Sequence, residues 1–419
     1  MNQFTLEARH KSVLIGAVIL GVLCLGLTFL FYDDELHSRF WSNYLHNTVF
    51  FTGIAFVSLF VLAAFTTAYA GWHTVFKRIW EAYAFFLIPG LVLFLVIIAG
   101  IWGHFHHLYH WTNEADVATD RIMLGKSGFL NKYWYTFGTI IIMGTWIFFA
   151  NKLRSISVEE DLHGTTDYAF HRRIRRWSAA FLPIAGFTSA ALIWQWVMSV
   201  DAHWYSTLFA WYATASWFVA AMALTIMTLI FLKSRGYYQN VTDEHLHDLG
   251  KYMFAFSVFW TYLWFSQYML IWYGNNGEET IYFRTRLDEY RVLFFGNLLL
   301  NFATPFLVLM RNDTKRKFGT LVFASVICFF GHWWDFFLMI KPGVLHTTHE
   351  ALAHGAEAAA DAAHHGGFTA GFTIPGLLEV GTMLGFLGGF LWFALSRLEK
   401  APLTPSNDPY IEESLHHHV

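Results

Sequence analysis

Five side chains able to take up or release protons stand in or beside long apolar stretches: Asp201, His203, His332, Asp335 and Glu379. Ionisable groups in such places are costly and mark pathways for ions or protons. Asp335 follows His332 by three residues, so the two share a helix face. They lie about 21–26 Å along a stretch that begins at Phe318, counted at ~1.5 Å per residue. Glu379 lies about 8 Å into a stretch that begins at Ile374, and Gln267 reaches a similar depth on another. Asp201 and His203 close the segment WQWVMSVDAH. At the opposite depth stand Glu81 and Lys251, the latter near His245 and His247. The middle holds only neutral groups: Thr188, Ser189, Ser257, Thr261, Asn297 and Asn301. An outer acidic set, an inner set and a thin polar middle suit two half-channels for protons. The same residues suit helix–helix hydrogen bonds and interfacial snorkelling. Spacing sets depth, not lateral neighbours.

Metal chemistry has little to build on. The two cysteines, Cys24 and Cys328, make no CxxC, no haem-attachment motif and no four-cysteine cluster set. A bis-histidine haem needs two facing transmembrane histidines, and only His332 lies well within a stretch; His104 and His203 are at edges. The run HFHHLYHW (104–111) suits a membrane interface better than a ligand set. No metal is expected in this chain.

The elements that position these groups follow from composition. Of 419 residues, 14% are charged, 56% hydrophobic and 20% aromatic. Soluble domains carry about 25% charged residues. A soluble enzyme, a disordered chain and a transmembrane β-barrel are excluded; an all-α polytopic membrane protein remains. A bilayer core about 30 Å thick needs roughly 20 apolar residues per helix. Ten runs qualify: Ser12–Tyr32, Thr48–Ala70, Ala82–Gly103, Tyr133–Ala150, Trp177–Val200, Leu208–Leu232, Tyr252–Tyr273, Val292–Met310, Phe318–Ile340 and Ile374–Leu395. The first is expected to be a retained signal anchor. Pro89, Pro183 with Gly186, and Asn301 with Pro305 mark expected kinks, the last two able to open backbone toward a cavity. Residues 1–400 read as one membrane domain, 341–373 as an extracytoplasmic His/Ala-rich loop and 401–419 as a cytoplasmic tail. The loop's His346, His349, His354, His364 and His365 match no specific metal spacing. Loops are also expected at 104–132 and 274–291.

Ten spans put both termini on one side. That side carries 19 Lys and Arg against 8 on the other, so the termini are expected in the cytoplasm. Tyr133, Trp134 and Tyr135 illustrate the aromatic belt at span ends.

The segments WQWVMSVDAHWYSTLFAWY (194–212), DLGKYMFAFSVFWTYLWFSQYMLIWYGNNGEET (248–280) and GHWWDFFLMIKP (331–342) resemble the ActF-type membrane subunit of bacterial alternative complex III, a quinol:cytochrome c (or direct-to-oxidase) oxidoreductase. The resemblance runs from roughly residue 10 to 400. It implies an NrfD-like (polysulfide-reductase-like) fold, with spans 2–5 and 6–9 forming two four-helix bundles and spans 1 and 10 peripheral. It implies the bacterial inner membrane, a sister NrfD-like subunit, a multihaem cytochrome c subunit, an iron–sulfur subunit, small anchor subunits and, in some assemblies, a terminal oxidase. Haem c and iron–sulfur clusters would belong to those partners; a quinone is the one cofactor this chain would contact. No nucleic acid is expected. The matched polar residues are Asp201, His203, Lys251, Gln267 and Asp335.

The expected function is thus support of quinol oxidation, with proton translocation. Quinol oxidation releases two protons and two electrons, so a carboxylate or histidine must take a proton and an outward polar path must drain it. The chain is not expected to be catalytic alone. The alternatives are a structural anchor for the redox subunits and a secondary transporter, against which stands the lack of inverted repeats.

Overall fold

The computed structural model describes residues 3–164, 168–355 and 371–418. The chain is 80% helical, with no strand among the described residues. The helices are α1 (Ala8–Phe31), α2 (Ser38–Thr67), α3 (Lys77–Ala84), α4 (Leu87–Gly103), α5 (Glu114–Thr119), α6 (Arg121–Lys126), α7 (Lys132–His163), α8 (Ala169–Trp196), α9 (Leu208–Ser234), α10 (Asp243–Gly274), α11 (Gly277–Asp288), α12 (Arg291–Leu298), α13 (Thr304–Leu309), α14 (Asn312–Arg316), α15 (Phe318–Gly355), α16 (Leu377–Leu398) and α17 (Ile411–Leu415). It is an all-α polytopic membrane protein. In hydrocarbon every backbone polar group must be satisfied within the segment, which helices achieve.

Nine helical stretches among the described residues are long and apolar enough to cross a bilayer. The seventh expected span is not among them, although α10 is 32 residues long. Its Trp260, Trp264, Trp272 and four tyrosines between 252 and 273 weigh against apolarity on a hydropathy scale, yet aromatic side chains suit the bilayer.

Helix neighbours define two rings. In the first, α2 packs on α3, α4 and α8, and α7 bridges α4 and α8. In the second, α9 packs on α10 and α15, and the broken helix α12–α13 closes the ring between them. These are the two four-helix bundles, joined through α2 against α9 and α15. α1 and α16 pair outside them, resting on α2 and α3. Small residues let that pair touch: a Cβ on Gly21 would lie 2.5 Å from the Gly385 Cα, so only glycine fits.

The helices outrun the expected spans because apolar counting stops at charges, and these charges find partners on neighbouring helices. α2 starts at Ser38, ten residues before the expected Thr48, and α7 extends to His163. The expected loop at 274–291 is largely α11, and 104–132 holds α5 and α6. The expected loop from 341 is a correction: α15 continues to Gly355, through Pro342, with Lys341 and Val344 fully buried. Of that loop's histidines, His364 and His365 lie outside the described residues. Pro183 sits inside an unbroken α8. Asn301 and Pro305 behave as expected: Leu299–Ala303 is a π-helical turn. Pro305 has no N–H, and its ring collides with the carbonyl four residues back, at Asn301.

The two termini meet at one end of the bundles, hereafter the termini end: the Leu6 N–H donates to Glu399, and Phe4 packs edge-on against Tyr237. The C-terminal tail lies against this end. Lys77 pairs with Asp408, and the Ser414 hydroxyl donates to the Trp72 carbonyl at 2.7 Å.

Candidate functional site

Asp335 is fully buried in the second bundle and is held by three neutral donors from three other helices. The Tyr212 hydroxyl (α9) donates to it, as do Trp260 Nε1 (α10) at 2.9 Å and Asn297 Nδ2 (α12) at 2.7 Å. The π-helical turn places a second amide behind the first: Asn301 Nδ2 donates to Asn297 Oδ1 at 2.6 Å and to the Gly331 carbonyl at 2.9 Å. His332 shares the Asp335 face, as the spacing requires. Its Nδ1 shares a hydrogen bond of 2.9 Å with the Ser216 hydroxyl, one helical turn from Tyr212, while its buried Nε2 has no partner among the described residues. Among the described residues no cation touches this carboxylate. Tyr212 can turn from donor to acceptor, so Asp335 can take a proton with one hydroxyl rotation.

A polar column leads from Asp335 to the end opposite the termini. Tyr212 and Asn297 line a cavity of about 20 Å³ that is also bounded by Gln267, Arg286 and Tyr282. That volume suits about one water, and the Gln267 Nε2 on its wall is buried without a hydrogen-bond partner among the described residues. The buried Arg286 closes the far wall. It lies 3.4 Å over the Tyr282 ring, donates to the Leu338 and Tyr282 carbonyls at 3.0 and 2.9 Å, and pairs with Asp201 at 3.0 Å. A Cβ at Gly343 would come within 2.9 Å of the Asp201 carboxyl, so α15 makes room for it. Asp201 then lines an outer pocket of about 120 Å³ with His110, His203, Glu278 and His346. His203 bonds Asp120 at 2.5 Å, and this bond holds the Asp120 carboxyl below its ordinary value. Burial raises the Tyr282 hydroxyl.

Glu379 does not join this column. It sits in the first turn of α16, at the start of the helix rather than inside it. Arg39 grips it through Nε at 2.8 Å and Nη2 at 3.1 Å, and Asn43 Nδ2 and the Gly376 N–H add bonds of 3.1 and 2.9 Å. Nearby, the fully buried Lys341 donates to Ser42 at 2.7 Å and lies 4.6 Å over the Phe372 ring. His46 bonds the Trp333 carbonyl at 2.8 Å.

The termini end forms a third group. Glu81 is bound by Arg78 at 2.6 Å, by Arg154 and by the Ser157 hydroxyl, and Arg78 also reaches Asp161. Lys251 pairs with Asp248 at 2.6 Å, and Asp248 also meets His417 of the tail at 2.8 Å. Burial would raise the Asp408 carboxyl, but Lys77 outweighs it and holds the group below its ordinary value. Burial pushes His73 down to about 3. Between Asp248 and Trp260 on α10 the one buried polar side chain is Ser257.

The structure therefore joins His332, Asp335, Gln267 and Asp201, puts His203 at the mouth, and separates Glu379, Lys251 and Glu81 into other clusters. Sequence reasoning missed Arg286, Tyr212, Trp260 and Asp120, and it placed Arg39 and Lys341 in loops. For α2 a signal existed: Arg39, Ser42, Asn43, His46 and Asn47 recur at helical spacing. For Arg286 there was none. Among the described residues no group of three or more His, Cys, Asp or Glu is placed to hold a metal ion.

No protein-family model matches the chain, and none of the curated proteins compared with it is significantly similar.

Proposed function

We propose that this chain is the ActF-type membrane subunit of a quinol-oxidising respiratory assembly, and that it drains protons along the column Asp335–Tyr212/Asn297–Arg286–Asp201. The observation that supports the proton role is Asp335, a fully buried carboxylate held by neutral donors alone, with a water-sized cavity between it and a surface-connected ion pair. The end opposite the termini is the extracytoplasmic side by the 19-to-8 distribution of Lys and Arg. Electrons leave through haem c and iron–sulfur centres of partner subunits; protons released at the quinol pass to Asp335 and outward. Arg286 and Asp201 supply the exit, which opens into the outer pocket lined by His110 and His203. Localisation in the bacterial inner membrane with both termini cytoplasmic belongs to the same reading.

A second reading, a docking anchor without chemistry, is favoured by the saturated Arg39–Glu379 grip, which holds α2 to α16 near the same face. D335N in the intact assembly separates the two. Under the proton reading the assembly forms, but quinol:cytochrome c turnover and proton release both drop. Unchanged turnover and release would leave the anchor. Recovery of the chain without a multihaem cytochrome or iron–sulfur partner in a mild-detergent pull-down would defeat both.

A further inference from the structure

The termini end carries arginines whose side chains pair with no acidic group among the described residues. α8 opens with His171, Arg172, Arg173, Ile174, Arg175, Arg176 and Trp177. Arg173 pairs with Glu159 at 3.1 Å, and the Arg175 guanidinium lies 4.2 Å over the Tyr69 ring. Arg172 and Arg176 are exposed, and their side chains make no hydrogen bond or ion pair with any described residue. Arg172, Arg175 and Arg176 line an open cleft of about 420 Å³. Arg172 and Arg176, four residues apart, have Cβ atoms about 5–6 Å from each other on one face.

The basic cluster at 311–317 differs. There Arg311 pairs with Asp313 at 3.0 Å, Arg316 with Glu244 at 2.8 Å, and Lys315 donates to the Leu309 carbonyl at 2.7 Å.

Below the arginines the same face continues as Ala180, Pro183 and Phe187, at steps of four, three and four residues, all exposed. Ala179 and Gly186 flank this line with little or no side chain, and a Cβ at Gly186 would meet nothing within 4 Å. An exposed apolar strip thus descends about 16 Å along α8 from Arg176. Simple snorkelling explains arginines at a span end. It does not require three of them on one cleft, with Arg175 fixed against Tyr69, above an apolar strip that ends at Phe187.

The geometry points to a binding site for an acidic phospholipid with two phosphates, of the diphosphatidylglycerol class. Its phosphates take the guanidiniums of Arg172, Arg175 and Arg176, whose planar forks match phosphate oxygens. One acyl chain lies along Ala180, Pro183 and Phe187. A zwitterionic choline headgroup brings a cation against the same arginines and is disfavoured. The inference rests on membrane embedding, not on the redox reading.

Native mass spectrometry of the full chain, released from detergent in its native assembly, tests it. One diphosphatidylglycerol should stay bound after washing that removes phosphatidylcholine, and retention should weaken as salt rises. R172Q/R176Q should lose occupancy by about tenfold or more, with helicity and elution volume unchanged. R172K/R176K keeps the charge but loses the planar forks, so it should fold and hold the lipid less tightly than the native chain, and it carries the test if the double glutamine variant fails to fold; undiminished retention there would also overturn the site. R284Q removes an exposed arginine from the opposite end and should change nothing. Equal retention of phosphatidylcholine, or undiminished diphosphatidylglycerol in folded R172Q/R176Q, overturns the site. Displacement by millimolar inorganic phosphate would mark a free-anion site and also overturn it, as would a partner subunit found covering this face.

Discussion

Glu379 and Asp335 are equally hidden from solvent, at 1% and 0% exposure, yet their surroundings are opposite. Glu379 has a guanidinium on both oxygens, so its charge is answered by a fixed charge. Asp335 is surrounded by a phenol, an indole and an amide, each neutral. A buried ion pair is broken at heavy cost when one partner is lost. A carboxylate among neutral donors can change protonation with local rotation of those donors. The first arrangement locks α2 to α16. The second suits exchange. The difference lies in the neighbours, not in residue type or depth.

The comparison can be broken most directly at Asp335. D335N should leave the assembly intact and lower turnover by about 100-fold, the low end of what a lost proton acceptor costs, measured as cytochrome c reduction per assembled complex. E379Q should behave in the reverse way. It strands Arg39 and should destabilise the fold by about 3–5 kcal/mol, read as a lower unfolding midpoint and poorer yield, with turnover per surviving complex retained. If E379Q instead abolished turnover at normal stability, the distinction between lock and exchange site would fall.

Smaller effects sharpen it. R286Q should cost about tenfold in proton release, less than the roughly 100-fold low end for a lost proton acceptor, because the wall between the cavity and Asp201 loses its charge; a pH-sensitive dye in proteoliposomes reads this. H203A touches only the mouth. Its partly exposed pair with Asp120 is worth about 0–1 kcal/mol, so stability should barely move, while the pH profile of proton release shifts.

The tail gives a pH test with a definite sign. His73 is held neutral in the folded chain, down to about 3, whereas an unfolded histidine takes its proton near ~6.5. Stability from this site is therefore full above that pH and falls progressively as pH drops toward 3. Asp408, held low by Lys77, adds its own loss at more acidic pH, below the ordinary carboxylate value. Protection from hydrogen exchange around Ser414, taken relative to the intrinsic rate at each pH, should be lower at pH 5 than at pH 7.5; equal protection would show that the tail does not depend on these groups.

Much of the fold was legible because lipid imposes a simple rule: long apolar runs become helices, and their depth can be counted. The π-helical turn was legible as a weak point, since Pro305 forbids a regular ladder. The ends were not legible. Lys341 and Arg39 read as loop charges because nothing in a linear pattern reveals that Ser42, the Phe372 ring and Glu379 wait on other helices. Arg286 was likewise invisible, since its value comes from Asp201, 85 residues away, and from the Leu338 and Met339 carbonyls of α15.

The sequence by itself determined that this is a ten-run helical membrane chain, that its charge is biased to the termini side, and that His332 and Asp335 share one helix face. These follow from transfer energetics and the 3.6-residue period, which are local. Only the tertiary structure decided that Asp335 meets Tyr212, Trp260 and Asn297, that Arg286 links the cavity to Asp201, and that Glu379 belongs to a different cluster. Lateral packing made those choices: depth is a property of one helix, whereas the surroundings of Asp335 draw groups from four.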